Sequence, residues 1–277
     1  MTTAATTQMT PEMGALKARL KTTWESGDYG VFAKYLEPGA LEFFDRLRIP
    51  AGTRLLDIAC GAGQLTIPAA RKGIDVTALD LAANLVQQAR ARAAGERLQV
   101  RIDEGDAESL PYPDASFDVA MSLIGSMFAP RPELVASEMV RVCRPGGRII
   151  MGNWTRDGHV GQMFKVIGKH VPPPTNFPSP LLWGDEATCR QRFGAGVTGL
   201  KATRHLYPFV YPFGPARVAQ FFFDYYGPTN RAYASLSGDA RQALHDELTA
   251  LWTRNNLATD GTTRVEGEYI EVVATRV

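Results

Sequence analysis

The sequence predicts an α/β fold: a doubly wound, seven-stranded mixed sheet, five parallel strands then an antiparallel edge pair, with helical lid insertions after strand 5. Three observations carry this. Between residues 53 and 154, short runs rich in β-branched residues alternate with stretches of helical periodicity. The gaps between most runs are long enough for right-handed parallel crossovers. After Trp154 the rhythm breaks into helices, and strand patterns return only near the end of the chain.

Taken in order, "TRLLDIA" (53–59), "IDVTALD" (74–80), "LQVRID" (98–103), "FDVAMSLI" (117–124) and "RIIMGNW" (148–154) are the five parallel strands. Helices fill gaps at 62–72, 82–94 and 131–143, the last stopping at "RPGGR", where Pro145 cannot continue it. A helix near 159–170, the Pro-rich link "VPPPTNFPSP" and a helix from about Asp185 follow. Strands at 200–211 and "EYIEVVATRV" (268–277) pair antiparallel at the sheet edge, separated by an aromatic helix at 215–227 and an amphipathic one at 238–256. The organisation is one structural domain. Residues 1–50 form an N-terminal helical cap, 51–155 the ligand-binding core, and 156–277 the helical lid with the last two strands.

Composition narrows the function. With 30 Lys and Arg against 29 Asp and Glu, the net charge of +1 offers no basic field for a phosphate backbone, so nucleic acid is not an expected partner. Cys60, Cys143 and Cys189 have no metal-ligand or disulfide spacing. A reduced, cytoplasmic setting without a metal site is expected. The opening "MTTAATTQMT" reads as a frayed leader, and no run approaches the roughly 18 apolar residues of a membrane span.

Ligands in open α/β sheets bind beyond the carboxyl ends of the strands, and the first strand here runs into "ACGAGQLT". Gly61 and Gly63 permit positive φ and close backbone approach, and the following helix offers free N–H groups. A dinucleotide fingerprint needs a third glycine at position 66, which is Thr66, and no Ser/Tyr/Lys constellation supports the alternative of an NAD(P)-dependent oxidoreductase. Asp80 ends the second strand 19 residues after Gly61, where a carboxylate accepts both hydroxyls of a ribose or caps the next helix. Asp106 and the Ala107 N–H, just past the third strand, match the donor and acceptor edge of adenine.

The motifs "LLDIACGAG", "VTALDLA", "EGDAESLPYPDASFDVAMS" and "RVCRPGGRIIM", over about residues 50–155, resemble the class I S-adenosylmethionine-dependent methyltransferases. The resemblance is to the small-molecule branch similar to ubiquinone/menaquinone-type enzymes, with a Rossmann-like core. "WESGDYGVFAKYL" and "SMFAPRPEL" look like one bacterial branch of that superfamily. The resemblance implies that Asp57, Ala59 and Gly61 line the amino-acid end of S-adenosylmethionine, with Asp57 near its ammonium. It implies that Asp80 holds the ribose, Leu81 packs on adenine, Asp106 and Ala107 read the adenine edge, and Leu123 lies beside the sulfonium. Trp24 and Tyr29 close over the methionine portion. S-adenosylhomocysteine is then the product.

The methyl is already activated, so alignment and exclusion of water are the main requirements. A base helps only where the acceptor must lose a proton. The loop after the fourth strand, "SLIGSMFAP", supplies neither a base nor the acidic ligands of catechol-type, metal-dependent enzymes. His159, shortly after the fifth strand, is the best-placed histidine for a base; His170, His205 and His245 rank below it. "QFFFDYYGPTNRAY" places Phe221, Phe222, Phe223, Tyr225 and Tyr226 on one predicted helix, more aromatic surface than one core-facing stripe accommodates. Met127, Phe128, Trp154, Tyr225 and Tyr226 are therefore the candidate acceptor-binding residues, with Trp183 a possible neighbour and Asp224 as a further polar group. The expected acceptor is a small, largely apolar or aromatic molecule. A protein that binds the cofactor without turnover is the non-enzymatic alternative.

Overall fold

In the computed structural model, residues 9–175 and 177–277 are described. The predicted frayed leader lies outside them up to residue 8. Three helices lead in: α1 (Pro11–Trp24), α2 (Tyr29–Ala33) and α3 (Glu37–Leu47). Thr10 caps α1 by accepting from the Met13 N–H at 3.2 Å, and Asp28 caps α2 by accepting from Val31 at 3.2 Å. The core follows as β1 (Arg54–Ile58), α4 (Thr66–Arg71), β2 (Asp75–Asp80), α5 (Ala83–Gly95), β3 (Arg101–Glu104), β4 (Phe117–Leu123), α6 (Pro132–Val142) and β5 (Cys143–Trp154). Beyond it lie α7 (His159–His170), α8 (Glu186–Phe193), β6 (Val197–Tyr211), α9 (Pro215–Tyr225), α10 (Gly227–Ala234), α11 (Gly238–Arg254) and β7 (Thr263–Arg276).

The sheet runs β3-β2-β1-β4-β5-β7-β6, with β1 to β5 parallel and β7 antiparallel between β5 and β6. The five parallel strands and the antiparallel pair are thus where the sequence puts them. β1 and β4 flank the point where strand order reverses, and both read as near-continuous apolar runs because helices cover both faces. The late strands are longer than expected: β6 and β7 pair from Val197↔Arg276 to Tyr211↔Thr263.

Two boundaries differ from the sequence reading for identifiable reasons. β5 starts at Cys143, because "RPGGR" bulges out of the ladder between Phe117↔Cys143 and Val119↔Arg148 rather than separating helix from strand. Arg144 Nε secures the bulge by donating to Asp118 Oδ1 at 2.6 Å. The aromatic helix ends at Tyr225, with Tyr226 extended at φ −92°, ψ 110°. Pro228 lacks the N–H a continuing helix needs, and Thr229 Oγ1 donates to the Phe222 and Tyr226 carbonyls at 2.6 and 3.0 Å, beside the backbone N–H groups of Tyr226 and Asn230.

Gly227 at this junction is where the lid meets the cap. A Cβ there would stand 2.1 Å from the Thr23 carbonyl oxygen, so α1 and α10 are in backbone contact. Gly227→Ala should cost about 1 to 3 kcal/mol, as overpacking does, and displace Trp24. Urea titration followed by tryptophan fluorescence checks it; an unchanged midpoint would refute the contact.

Candidate active site

The site is built where the turns after β1, β2, β3 and β4 converge. After β1 the chain turns through Gly61 at φ +57° and Gly63 at φ +87°. Asp80, at the end of β2, sews this turn to its own: Oδ2 accepts from the Gly61 N–H at 2.8 Å and Oδ1 from the Ala82 N–H at 2.9 Å. Thr66, the residue that breaks the dinucleotide pattern, donates through Oγ1 to Asp57 Oδ2 at 2.6 Å. Arg92 of α5 donates to the Ala62 carbonyl at 3.0 Å and so holds the turn from outside.

Across the crevice, Ala59 (φ +58°) and Ile124 (φ +69°) adopt backbone conformations uncommon outside glycine. They do so side by side: a Cβ on Gly125 would lie 2.5 Å from the Ala59 Cβ. Ser122 ties the two strand ends together, donating to the Ile58 carbonyl at 2.8 Å and accepting from the Ser126 N–H at 3.2 Å.

Electrostatically this end is acidic and dry. Burial pushes the Asp57 carboxyl up to about 6, the Thr66 hydroxyl opposing the shift and the charge of Asp80 adding to it. Burial also raises Asp80, against the three backbone N–H groups at Gly61, Leu81 and Ala82 that favour its charge. The Tyr29 phenol is raised by burial and then by Asp80.

One cavity unites all ten residues expected at the cofactor: Trp24, Tyr29, Asp57, Ala59, Gly61, Asp80, Leu81, Asp106, Ala107 and Leu123. Phe128, Trp154 and Tyr226 line its continuation, among Leu36, Ala40, Val160, Met163, Tyr207, Phe209 and Phe222. Met127 and Tyr225 do not line it. Met127 is buried in the core, and Tyr225 packs on Phe221 with ring centroids 4.8 Å apart, because the phase of each short helix turns these residues away. Trp183 is likewise buried elsewhere, beneath Arg192. Asp224 accepts from Gln220 at 2.7 Å on its own helix.

His159 is a correction. It is 3 % exposed and does not line the cavity; its Nδ1 accepts from Asn255 Nδ2 at 2.9 Å and its ring lies 4.2 Å from that of Trp252. Burial, then the charge of Arg254, lowers it to about 4. Val160 and Met163 face the cavity, and that phase of α7 sends His159 toward α11. No histidine lines the cavity among the described residues.

Lys17 was not legible. It reaches from α1 into the cavity and pairs with Asp106 and with Glu108, whose side chain is fully buried and also accepts from Arg131 at 2.7 Å. Tyr207 and Phe209 arrive from β6, about 150 residues downstream of the glycine turn. Nothing local marks such residues; only the sheet order brings them in.

A 3-2-1-4-5-7-6 sheet with an antiparallel seventh strand and an acid-lined turn after its first strand matches the Rossmann-like fold of the class I S-adenosylmethionine-dependent methyltransferases. Residues 56–151 match the family model described as a methyltransferase domain. An uncharacterized protein of Mycobacterium tuberculosis is 37% identical over 262 residues, 94% of either chain. The demethylmenaquinone methyltransferase of Deinococcus radiodurans is 35% identical over 125 residues, 43% of this chain and 52% of its own. Among solved structures, the YcgJ protein of Bacillus subtilis aligns with a TM-score of 0.58 at 17% identity, over 86% of this chain and 97% of its own. Geranyl diphosphate methyltransferase in complex with S-adenosylmethionine aligns with a TM-score of 0.51 at 18% identity, over 87% and 85%. At these identities the structures speak to the fold. The chain belongs to the class I S-adenosylmethionine-dependent methyltransferases, and S-adenosylmethionine is its cofactor.

The residues present fit that group. A Cβ on Gly61 would stand 3.5 Å from the Tyr29 ring, so a side chain there would fill the space between turn and tyrosine. Asp57 and Asp80 offer buried carboxylates suited to an ammonium and to hydroxyls. Among the described residues no helix is long and apolar enough to cross a membrane.

The raised Asp57 gives a signed prediction for the cofactor-free protein. Its folded value lies above the ordinary 3.8, so the stability it confers is present below that value and lost as pH rises through about 6. Asp57→Asn removes this loss. Between pH 4 and pH 7 the variant should gain on wild type by about 2 to 3 kcal/mol in urea unfolding; a constant difference would contradict the burial.

Proposed function

We propose that the protein transfers the methyl group of S-adenosylmethionine to a small, largely apolar or aromatic acceptor, by in-line displacement and without a metal. The observation that carries this is the continuity of one cavity: an acidic end at the β1 to β3 turns opens directly onto walls of Phe128, Trp154, Phe209, Phe222 and Tyr226. When bound, S-adenosylmethionine supplies an activated methyl group. The protein's own residues then hold, orient and exclude water.

In this reading Asp57 faces the ammonium, Ala59 and Gly61 the amino-acid end, Asp80 the ribose, Leu81 the adenine face, and Asp106 with Ala107 the adenine edge. Leu123 lies beside the sulfur, and Trp24 and Tyr29 cover the methionine portion. Trp24 supports that role through ring contacts with Tyr29 at 6.1 Å, Phe128 at 5.0 Å and Tyr226 at 5.9 Å, spanning both parts of the cavity. Phe128, Trp154 and Tyr226, with Tyr207, Phe209 and Phe222, form the acceptor wall. Proximity and desolvation in such an enclosure can supply about 7 to 11 kcal/mol of the barrier. The post-β4 loop from Ser122 to Pro130 carries no carboxylate, which supports a metal-independent reaction. Demethylmenaquinone methyltransferase and geranyl diphosphate methyltransferase are each named for a small-molecule acceptor, in keeping with this reading.

Asp80→Ala should weaken S-adenosylmethionine by about 1.5 to 3 kcal/mol, the loss expected for hydrogen bonds to a charged group. Calorimetry on the folded variant measures it, and unchanged affinity would sink the ribose assignment. Release of S-adenosylhomocysteine should follow from apolar aromatic acceptors in a broad panel; turnover confined to peptides or nucleic acid would overturn the acceptor reading.

A further inference from the structure

The acceptor wall lacks any group that takes up a proton near neutral pH. The charged residues lining the cavity, Lys17, Asp57, Asp80 and Asp106, all belong to its acidic end, and Lys17 is spent on Asp106 and Glu108. The remaining titratable groups are tyrosines and Cys60, which sits inside the glycine turn with its thiol raised by burial. Tyr207 donates to the Leu36 carbonyl at 2.5 Å. The hydroxyls of Tyr29 and Tyr226 have no hydrogen-bond partner among the described residues. Burial raises both phenols, so they remain O–H donors.

Tyr226 stands at the α9–α10 break, with its ring 4.9 Å from Phe32, 5.6 Å from Phe222 and 6.4 Å from Tyr29. Trp24 completes this aromatic surround from α1. Tyr29 is thus the other titratable group against its ring; Asp57 and Asp80 lie at the acidic end, where the charge of Asp80 acts on the Tyr29 phenol. A hydroxyl donor without a partner, on a buried side chain that lines a site also receiving a sulfonium, suits an oxygen anion. An ammonium would find no carboxylate on the aromatic wall.

Resting on the methyl-transfer reading, we propose that the acceptor is an acidic phenol or enol that binds as its anion and is methylated on oxygen, with Tyr226 donating to that oxygen. The oxygen lone pair forms the new O–C bond as the C–S bond breaks, and the electrons of that bond pass to sulfur. A sulfonium and an anion become two neutral products. No proton moves to the protein, so the site needs no base, and the positive sulfur offsets the cost of burying the anion. Tyr226 is a positioning and selectivity residue in this account.

The test uses 4-nitrophenol, whose anion absorbs apart from its neutral form, titrated into the protein loaded with either of two cofactor analogues. Sinefungin carries a protonated amine where the sulfonium stands; S-adenosylhomocysteine is neutral there. The bound probe should be the anion, held at least about tenfold more tightly in the sinefungin complex. Its apparent pKa should lie below that of the free probe, and Tyr226→Phe should weaken the anion about fivefold or more and return that pKa toward the free value. Uptake of the neutral form, equal affinity in both complexes, or no probe binding to a protein that binds the analogues would each overturn the proposal. Failure to bind either analogue by calorimetry would instead speak against the methyl-transfer reading itself.

Discussion

The bridge from Asp80 to the Gly61 and Ala82 N–H groups is the interaction on which the site depends. A single carboxylate at the end of β2 orients the turn after β1 and the entry to α5 together, so the turns after these two neighbouring strands are tied to one group. Gly61 can satisfy that geometry because its φ of +57° costs no Cβ clash. The Gly61 and Ala82 bonds fall one on each carboxylate oxygen, and a carboxylate's roughly four acceptor sites leave capacity for a ligand hydroxyl.

Around this bridge the structure separates charge from aromatic surface. Asp57 is dry enough to titrate near 6, yet Thr66 holds its orientation, so the acidic end is poised for a cationic or hydroxyl-rich ligand. The cost of keeping two carboxylates buried is distributed over backbone donors and one hydroxyl rather than over arginines. On the other side, α1, α2, α9 and the break after it contribute Trp24, Tyr29, Phe32, Phe222 and Tyr226 as one ring cluster. The unusual backbone at Ala59 and Ile124 marks the seam between these two environments. Strain of this kind persists where surrounding packing over-determines it, and here the Ser122 and Gly125 contacts do so.

How much was legible follows from what each residue is tied to. Gly61, Asp80 and Asp106 sit at strand ends, and strand ends in a parallel sheet meet along one rim, so motif spacing located them in one cavity. Trp154, the last residue of β5, shared that logic, and Phe128 reaches the cavity from the helical turn after β4. Met127, Tyr225 and His159 failed it because each lies on a helical turn, where a shift of one residue rotates a side chain by about 100°. Lys17 and Tyr207 had no local signature, since only the packing of α1 over the rim and of the Tyr207 ring on Trp154 across the sheet bring them near. The break at Tyr226 could be foreseen from Pro228, but its contact with α1 could not.

The claim that the convergent turns are the cofactor site is tested most directly by amide hydrogen exchange with and without S-adenosylhomocysteine. The account predicts added protection at the turns bearing Gly61, Leu81 and Ala107, and along α1 where it carries Lys17 and Trp24. Protection elsewhere with these segments unchanged would contradict it.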